Sequence, residues 1–195
     1  MMENAKMKYG WLLVCVWIAC MACAVGGESI VLFDAANGKK PYLPMRNQGQ
    51  NTVADELDGR PVLWLEYNRV EADVFCMGIS DVVEAKEIGE FASAKITFDI
   101  FFPEEAGANW VTIRFRDKDK EICQFCLKFD PSLRGWHTLT MPIDPEKCYA
   151  TWDGDVKNKK MDFPAAPVEF LVDFSEKIAT GRLALARIVL EDCSD

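Results

Sequence analysis

The sequence predicts an all-β fold, a β-sandwich with two antiparallel sheets in jelly-roll order. Three observations predict it. Residues 94–102 alternate strictly, with Ile96, Phe98, Ile100 and Phe102 on one face and Lys95, Thr97, Asp99 and Phe101 on the other. That period of two marks a strand with one buried face. Further runs of strand length recur between turn-forming Gly, Pro and Asp residues. No segment carries the period of a long amphipathic helix, and the βα alternation of a parallel doubly wound sheet is missing.

In chain order, residues 29–33 read as a short strand closed by Asp34-Ala35-Ala36-Asn37-Gly38. Residues 35–60 contain Pro41, Pro44, Gly49 and Gly59 and read as a long loop with one short strand at 52–57. Residues 61–67, PVLWLEY, form a strand with Leu63 and Leu65 on one face and Trp64 and Glu66 on the other. Residues 74–79 read as another strand, and 82–91 as either a helical turn or a loop. After the 94–102 strand, Pro103 and Gly107 make a turn. Val111, Ile113 and Phe115 then point inward and Trp110, Thr112, Arg114 and Arg116 outward. The charged stretch 117–121 turns this strand into its neighbour at 121–129, so 110–129 is a hairpin. Residues 136–143 form the next strand, with His137, Leu139 and Met141 opposite Trp136, Thr138 and Thr140. Residues 144–167 read as a second long loop, 168–174 as a strand, Gly181 as a turn residue and 183–190 as the last strand. Some eight strands at this spacing pack as two sheets face to face.

Residues 1–24 read as a signal peptide and are set apart from the fold. Lys6 and Lys8 precede an uncharged apolar run from Trp11 to Met21, and Ala22-Cys23-Ala24 supplies the small residues of a cleavage site. The run is short for a membrane span. An uncleaved anchor and a lipid on Cys20 or Cys23 are the alternatives, and a membrane enters only through them. Residues 25–195 are expected to form a single domain in a secreted, periplasmic or cell-surface location.

The chain carries 22 basic and 31 acidic residues. This balance excludes non-specific nucleic-acid binding, which needs a basic surface. Beyond the leader, Cys76, Cys123, Cys126, Cys148 and Cys193 form an odd set, so at least one has no internal disulfide partner. An oxidising compartment allows disulfide bonds among the rest. Cys123 and Cys126 have CxxC spacing, but residues three apart on a strand face opposite ways, unlike a redox pair at a helix N-terminus. No GxSxG elbow, HExxH or P-loop occurs, and the single histidine, His137, lies on a strand. Catalysis is therefore not expected.

The segments AKITFDIFFP (94–103), VTIRFRDKDKE (111–121), GWHTLTMPID (135–144) and GRLALARIVLED (181–192) resemble the secreted jelly-roll domains of the galactose-binding-like superfamily, found in bacterial polysaccharide-active proteins. The resemblance implies a non-catalytic, exported carbohydrate-binding or polysaccharide-associated module. The alternative is a structural or protein-interaction domain contacting another protein of the cell envelope. The resemblance also implies a structural calcium (Ca2+) between the first strand and the end of the last, where Glu28, Asp34, Glu191 and Asp192 supply hard oxygens.

Sugar recognition needs flat apolar surface for ring faces and planar polar groups for hydroxyls. Trp64, Trp110, Arg114 and Arg116 alternate out of phase with core neighbours and floor a common groove if their strands adjoin. Otherwise they fill a second layer of the sandwich. Trp152 and Asp153 lie in the loop Tyr149–Asp155, where nothing in the local pattern demands a buried aromatic. They are the loop candidates for ligand binding.

Overall fold

In the computed structural model, the described residues are 29–37, 50–68, 76–80, 87–104, 106–174 and 180–194. The expected leader, 1–24, lies outside them. Eleven strands are described: β1 (Ser29–Asp34), β2 (Gln50–Leu57), β3 (Arg60–Asn68), β4 (Cys76–Ser80), β5 (Ala94–Phe102), β6 (Ala108–Arg116), β7 (Glu121–Lys128), β8 (Gly135–Ile143), β9 (Ala150–Asp153), β10 (Ala166–Phe174) and β11 (Thr180–Asp192). The first sheet runs β2-β3-β11-β5-β8, with β1 also on β11, and the second runs β4-β10-β6-β7-β9. Every pairing is antiparallel, as expected of a sandwich. β11 is long enough for β1 and β3 to lie end to end along one of its edges, while β5 takes the other.

The alternation read from the sequence sets the core. Ile96, Phe98, Ile100 and Phe102 of β5 and Val111, Ile113 and Phe115 of β6 are buried between the sheets. Phe98 meets Phe170 of β10 across the layers, with ring centroids 5.4 Å apart. Removing a ring at such a site costs about 3–5 kcal/mol, because lost transfer energy and an unfilled cavity add.

Two local expectations need correction, and two others are sharpened. Gly181 is a buried strand residue opposite Tyr67, not a turn, because β11 extends to meet β3. The 144–167 loop contains β9 and gives up its last residues to β10. Of the two readings of 82–91, the described end, 87–91, fits the loop, with Ile88 in an extended bridge to Ala165. Residues 38–49 of the expected loop lie outside the described residues, the expected strand at 52–57 is present as β2, and Asp58 (φ 52°) and Gly59 (φ 73°) close a tight β2–β3 hairpin. Both residues take positive φ, as a two-residue hairpin turn requires.

One end of the sandwich is closed by the turn after β6. Asp117 is buried and its Oδ1 accepts the N–H groups of Asp119 and Glu121 at 2.9 and 2.8 Å. Gly154, just past β9, seats on this turn: a Cβ there would lie 2.7 Å from the Glu121 Cα. Its φ of 76° also favours glycine. The Asp155 N–H donates to the Asp119 carbonyl at 2.9 Å, which holds the corner in place.

Candidate functional site

The outer face of the second sheet gathers most of the expected ligand-binding residues. Trp110, Thr112, Arg114 and Arg116 project from β6 on the side away from the core. Strand register places Asp173 and Lys128 beside Trp110, and Leu171 and Cys126 beside Thr112. Glu169 and Gln124 flank Arg114, and Ile122 stands between Arg116 and Trp152. β9 is the edge strand that brings Trp152 onto this face, paired with Ile122, while Asp153 ends the strand opposite Glu121 and lines the corner pocket beside Arg116.

Arg114 is the fixed point of the face. Its Nε donates to Gln124 Oε1 at 2.9 Å, its Nη1 donates to Glu169 Oε2, and its guanidinium lies 4.8 Å from the Trp152 ring centroid. A guanidinium held on three sides presents its remaining donors in a set plane. Trp110 is flanked by Tyr149 at 6.0 Å between ring centroids and by the Lys128 ammonium at 5.8 Å. Tyr149 is 64% exposed, whereas Trp110, Arg114 and Trp152 are half-buried. Thr112 and Leu171 are only 2% and 5% exposed, so access is from the β7–β9 side. There Arg116 and Asp153 join Lys120, Gly154 and Asp155 around a shallow pocket of about 320 Å³.

The carboxyl of Asp173 is pushed above the usual aspartate range by burial, with Arg114 acting in the opposite direction. His137 is half-buried on β8 in the other sheet, its Nε2 2.9 Å from the Arg134 carbonyl oxygen.

Trp64 does not join this group. β3 belongs to the first sheet, so Trp64 faces out from the opposite side of the sandwich. It packs edge-on against Phe101 at 6.2 Å, and Phe101 against Trp136 at 5.6 Å. Arg182 and Arg60 stack on Trp64 and Trp136 at 4.8 and 4.9 Å. Trp136 Nε1 donates to Asp58 at 3.0 Å. The common groove of Trp64 with Trp110, Arg114 and Arg116 therefore does not form, because β3 and β6 lie in different layers.

Of the residues expected to hold calcium, Asp34 lies apart from Glu191 and Asp192. β1 is antiparallel to β11, so Ser29 meets Glu191 whereas Asp34 meets Arg187. Five residues of strand separate the two ends by roughly 16 Å. Glu191 pairs with Lys95 at 2.8 Å, and Asp192 accepts the Ser194 N–H at 2.8 Å. Asp34 Oδ2 lies 3.9 Å from the Arg187 Nε. Glu28 lies outside the described residues. Among the described residues no three His, Cys, Asp or Glu side chains converge on a position that could hold a metal ion.

Sequence reasoning did not single out Gln124, Lys128, Tyr149, Glu169 and Asp173 as site residues. The outward parity of Gln124 and Lys128 was readable from the 121–129 alternation. Their convergence depends on the order β10-β6-β7-β9, which no local pattern encodes.

Solved structures share this arrangement of strands. The family 11 carbohydrate-binding module of a cellulosomal cellulase of Clostridium thermocellum superposes with a TM-score of 0.55 at 14% identity, over 87% of this chain and 97% of that module. A family 30 carbohydrate-binding module gives 0.51 at 10% identity, over 85% and 99%. The fold resembles that of several carbohydrate-binding modules. An exo-β-agarase also matches, with a TM-score of 0.57 at 14% identity over 85% of this chain. The chain spans about a quarter of the agarase and of a matching α-L-arabinofuranosidase. At these identities the likeness concerns the fold. No protein-family profile matches the chain, and no curated protein does.

Proposed function

We propose that this chain is an exported, non-catalytic carbohydrate-binding module that holds a polysaccharide on the outer face of its second sheet. One observation carries the reading: the Trp152–Arg114 stack, locked by Gln124 and Glu169, shares a face with Trp110 and Tyr149. Indole and phenol rings offer the apolar planes on which sugar C–H faces stack. Arg114, Gln124 and Lys128 offer hydroxyl partners beside the rings, and Asp153 does so in the adjoining corner pocket. The fold likeness to the family 11 and family 30 modules supports the same reading. The leader at 1–24 supports delivery to the periplasm, cell surface or medium.

Affinity electrophoresis against cellulose derivatives, mixed-linkage β-glucan, arabinan and agarose tests it. At least one polysaccharide retards the protein. Trp110→Ala and Trp152→Ala each weaken that binding tenfold or more, while Trp64→Ala leaves it within twofold. Binding to none of the four, or equal loss in all three variants, refutes the proposal.

A second reading, a protein-contacting domain of the cell envelope, is favoured by a different observation. The aromatic stripe Trp64–Phe101–Trp136 runs across the outer face of the first sheet and continues to Val53, which is 40% exposed. Light scattering distinguishes it for self-association. A dimer lost in Trp64→Ala favours this reading, and a monomer at all concentrations removes it for that partner.

A further inference from the structure

We infer that Cys123 and Cys148 form a disulfide that clamps the edge of the proposed binding face to β7. The Cys123 Sγ lies 3.3 Å from the Lys160 carbonyl oxygen and the Cys148 Sγ 3.8 Å from that of Pro145, and the Met161 N–H donates to the same Pro145 carbonyl at 2.9 Å, which joins the two segments. Cys123 is fully buried on the core side of β7, and Cys148 packs half-buried against that same core just before β9. The Tyr149 N–H donates to the Gln124 carbonyl at 2.8 Å, so the backbones carrying the two thiols are already tied one residue away from each.

The obvious rival partner is Cys126. Continuing the β7–β9 register, in which Cys123 opposes Thr151 and Gln124 opposes Ala150, would set Cys126 opposite Cys148. That ladder ends at Ala150, and Cys148 turns toward the core. Cys126 stays on the outer face, where its sulfur meets the Thr112 hydroxyl and the Gln124 amide, both at 3.3 Å. Cys193 is exposed at the other end of the chain. Cys123, Cys126, Cys148 and Cys193 thus resolve into one adjacent pair and two singles.

The chemistry is an exchange with a disulfide oxidant, either oxidised glutathione or a protein dithiol oxidase in its disulfide form. Cys148 is the more accessible thiol, and its hydrogen bond with Cys123 holds its ionisation below the usual range, whereas contact and burial push Cys123 up. The Cys148 thiolate attacks one oxidant sulfur, forming a mixed disulfide and releasing the first oxidant thiolate. Cys123 then loses its proton and attacks the Cys148 sulfur, displacing the second. Two protons and two electrons leave the pair, and the oxidant is reduced to two thiols.

The cross-link rests on the export reading for its oxidant, not for its geometry. Its effect falls on recognition: Tyr149 lies one residue and Trp152 four residues from Cys148, Tyr149 just before and Trp152 within the four-residue edge strand β9, which pairs with β7. Tying Cys148 to Cys123 fixes that strand against Trp110 and Arg114.

Two preparations of the full chain separate the possibilities: one secreted under its own leader, the other refolded in a glutathione redox buffer. Each is alkylated, digested with trypsin and analysed by mass spectrometry without reduction. A linked pair of peptides, 121–128 with 148–157, is expected in both. It persists in Cys126→Ser and disappears in Cys123→Ser. Reduction of the linked protein lowers the melting temperature by roughly 5–10 °C, in line with closing a loop of this length. A link in the refolded protein alone overturns export and leaves the pairing intact. Cys123 alkylated in both preparations, or a link that survives in Cys123→Ser, overturns the pairing.

Discussion

Gly154 and Gly135 make a matched pair of perturbations. Both have left-handed backbones, with φ of 76° and 78°. They differ in what surrounds them. A Cβ at Gly135 meets nothing within 4 Å, whereas at Gly154 it lies 2.7 Å from Glu121 Cα and 2.8 Å from Glu121 N. Placing an L-residue in the left-handed region costs about 1–2 kcal/mol, and this applies to both sites. Only Gly154→Ala adds an overlap with backbone that cannot rotate away, which costs about 1–3 kcal/mol more. With a urea m-value of about 2 kcal/mol/M, Gly135→Ala lowers the denaturation midpoint by about 0.5–1 M and Gly154→Ala by about 1–2.5 M. Urea titration followed by tryptophan fluorescence gives both numbers. Gly154→Ala also pushes β9 off the turn at 117–121, so polysaccharide binding falls with it, while Gly135→Ala binds normally. Equal loss of stability in the two variants would refute the close approach on which this reasoning depends.

Two other predictions concern the charged groups of the face. Burial raises the Asp173 carboxyl in the folded state, so the proton is held more tightly there than in the unfolded chain. Stability attributable to this group is therefore greatest when it is protonated and falls as pH rises from the ordinary aspartate value, about 3.9, through the raised one. Asp173→Asn is accordingly more stable than the wild type at pH 7 and matches it below pH ~3.5; denaturation midpoints across this range check the sign. Arg114→Lys keeps the charge but loses the planar fork that reaches Gln124 and Glu169 together. Its stability drops by no more than about 1 kcal/mol, because the ion pair is partly exposed. Its polysaccharide affinity drops about tenfold, as titration calorimetry would register.

Alternation proved a reliable guide to which side chains enter the core, and an uninformative one about layers. Trp64 and Trp110 read identically, each one step out of phase with buried neighbours. One faces out from the first sheet and the other from the second, because strand order is set by contacts far apart in sequence. β9 escaped notice because four residues, Ala-Thr-Trp-Asp, are too few to show a period. Its placement depends on Gly154 fitting against Glu121, a contact across more than thirty residues. Gly181 was misread for a simpler reason: glycine punctuates turns more often than it lines strands, and here close strand packing buries it. The acidic residues expected to meet at one end of the sandwich part ways because the antiparallel β1–β11 pairing sends Asp34 and Glu191 to opposite ends.

That same pairing has a bearing on how the protein is made. Among the described strands, β1 pairs with β11 alone, and the β2–β3 hairpin joins the rest of its sheet through β11. The earliest strands to leave the ribosome are thus the ones that wait longest, until the residues of Thr180–Asp192 become available to them. Such sequence-distant pairing slows folding. Under the export proposed above, that delay would be protective: the first sheet cannot close ahead of its central strand, so a chain threaded across a membrane would stay translocation-competent for most of its passage. Deleting residues 180–192 would leave β1 unpartnered and the β2–β3 hairpin detached, a chain that never completes its first sheet.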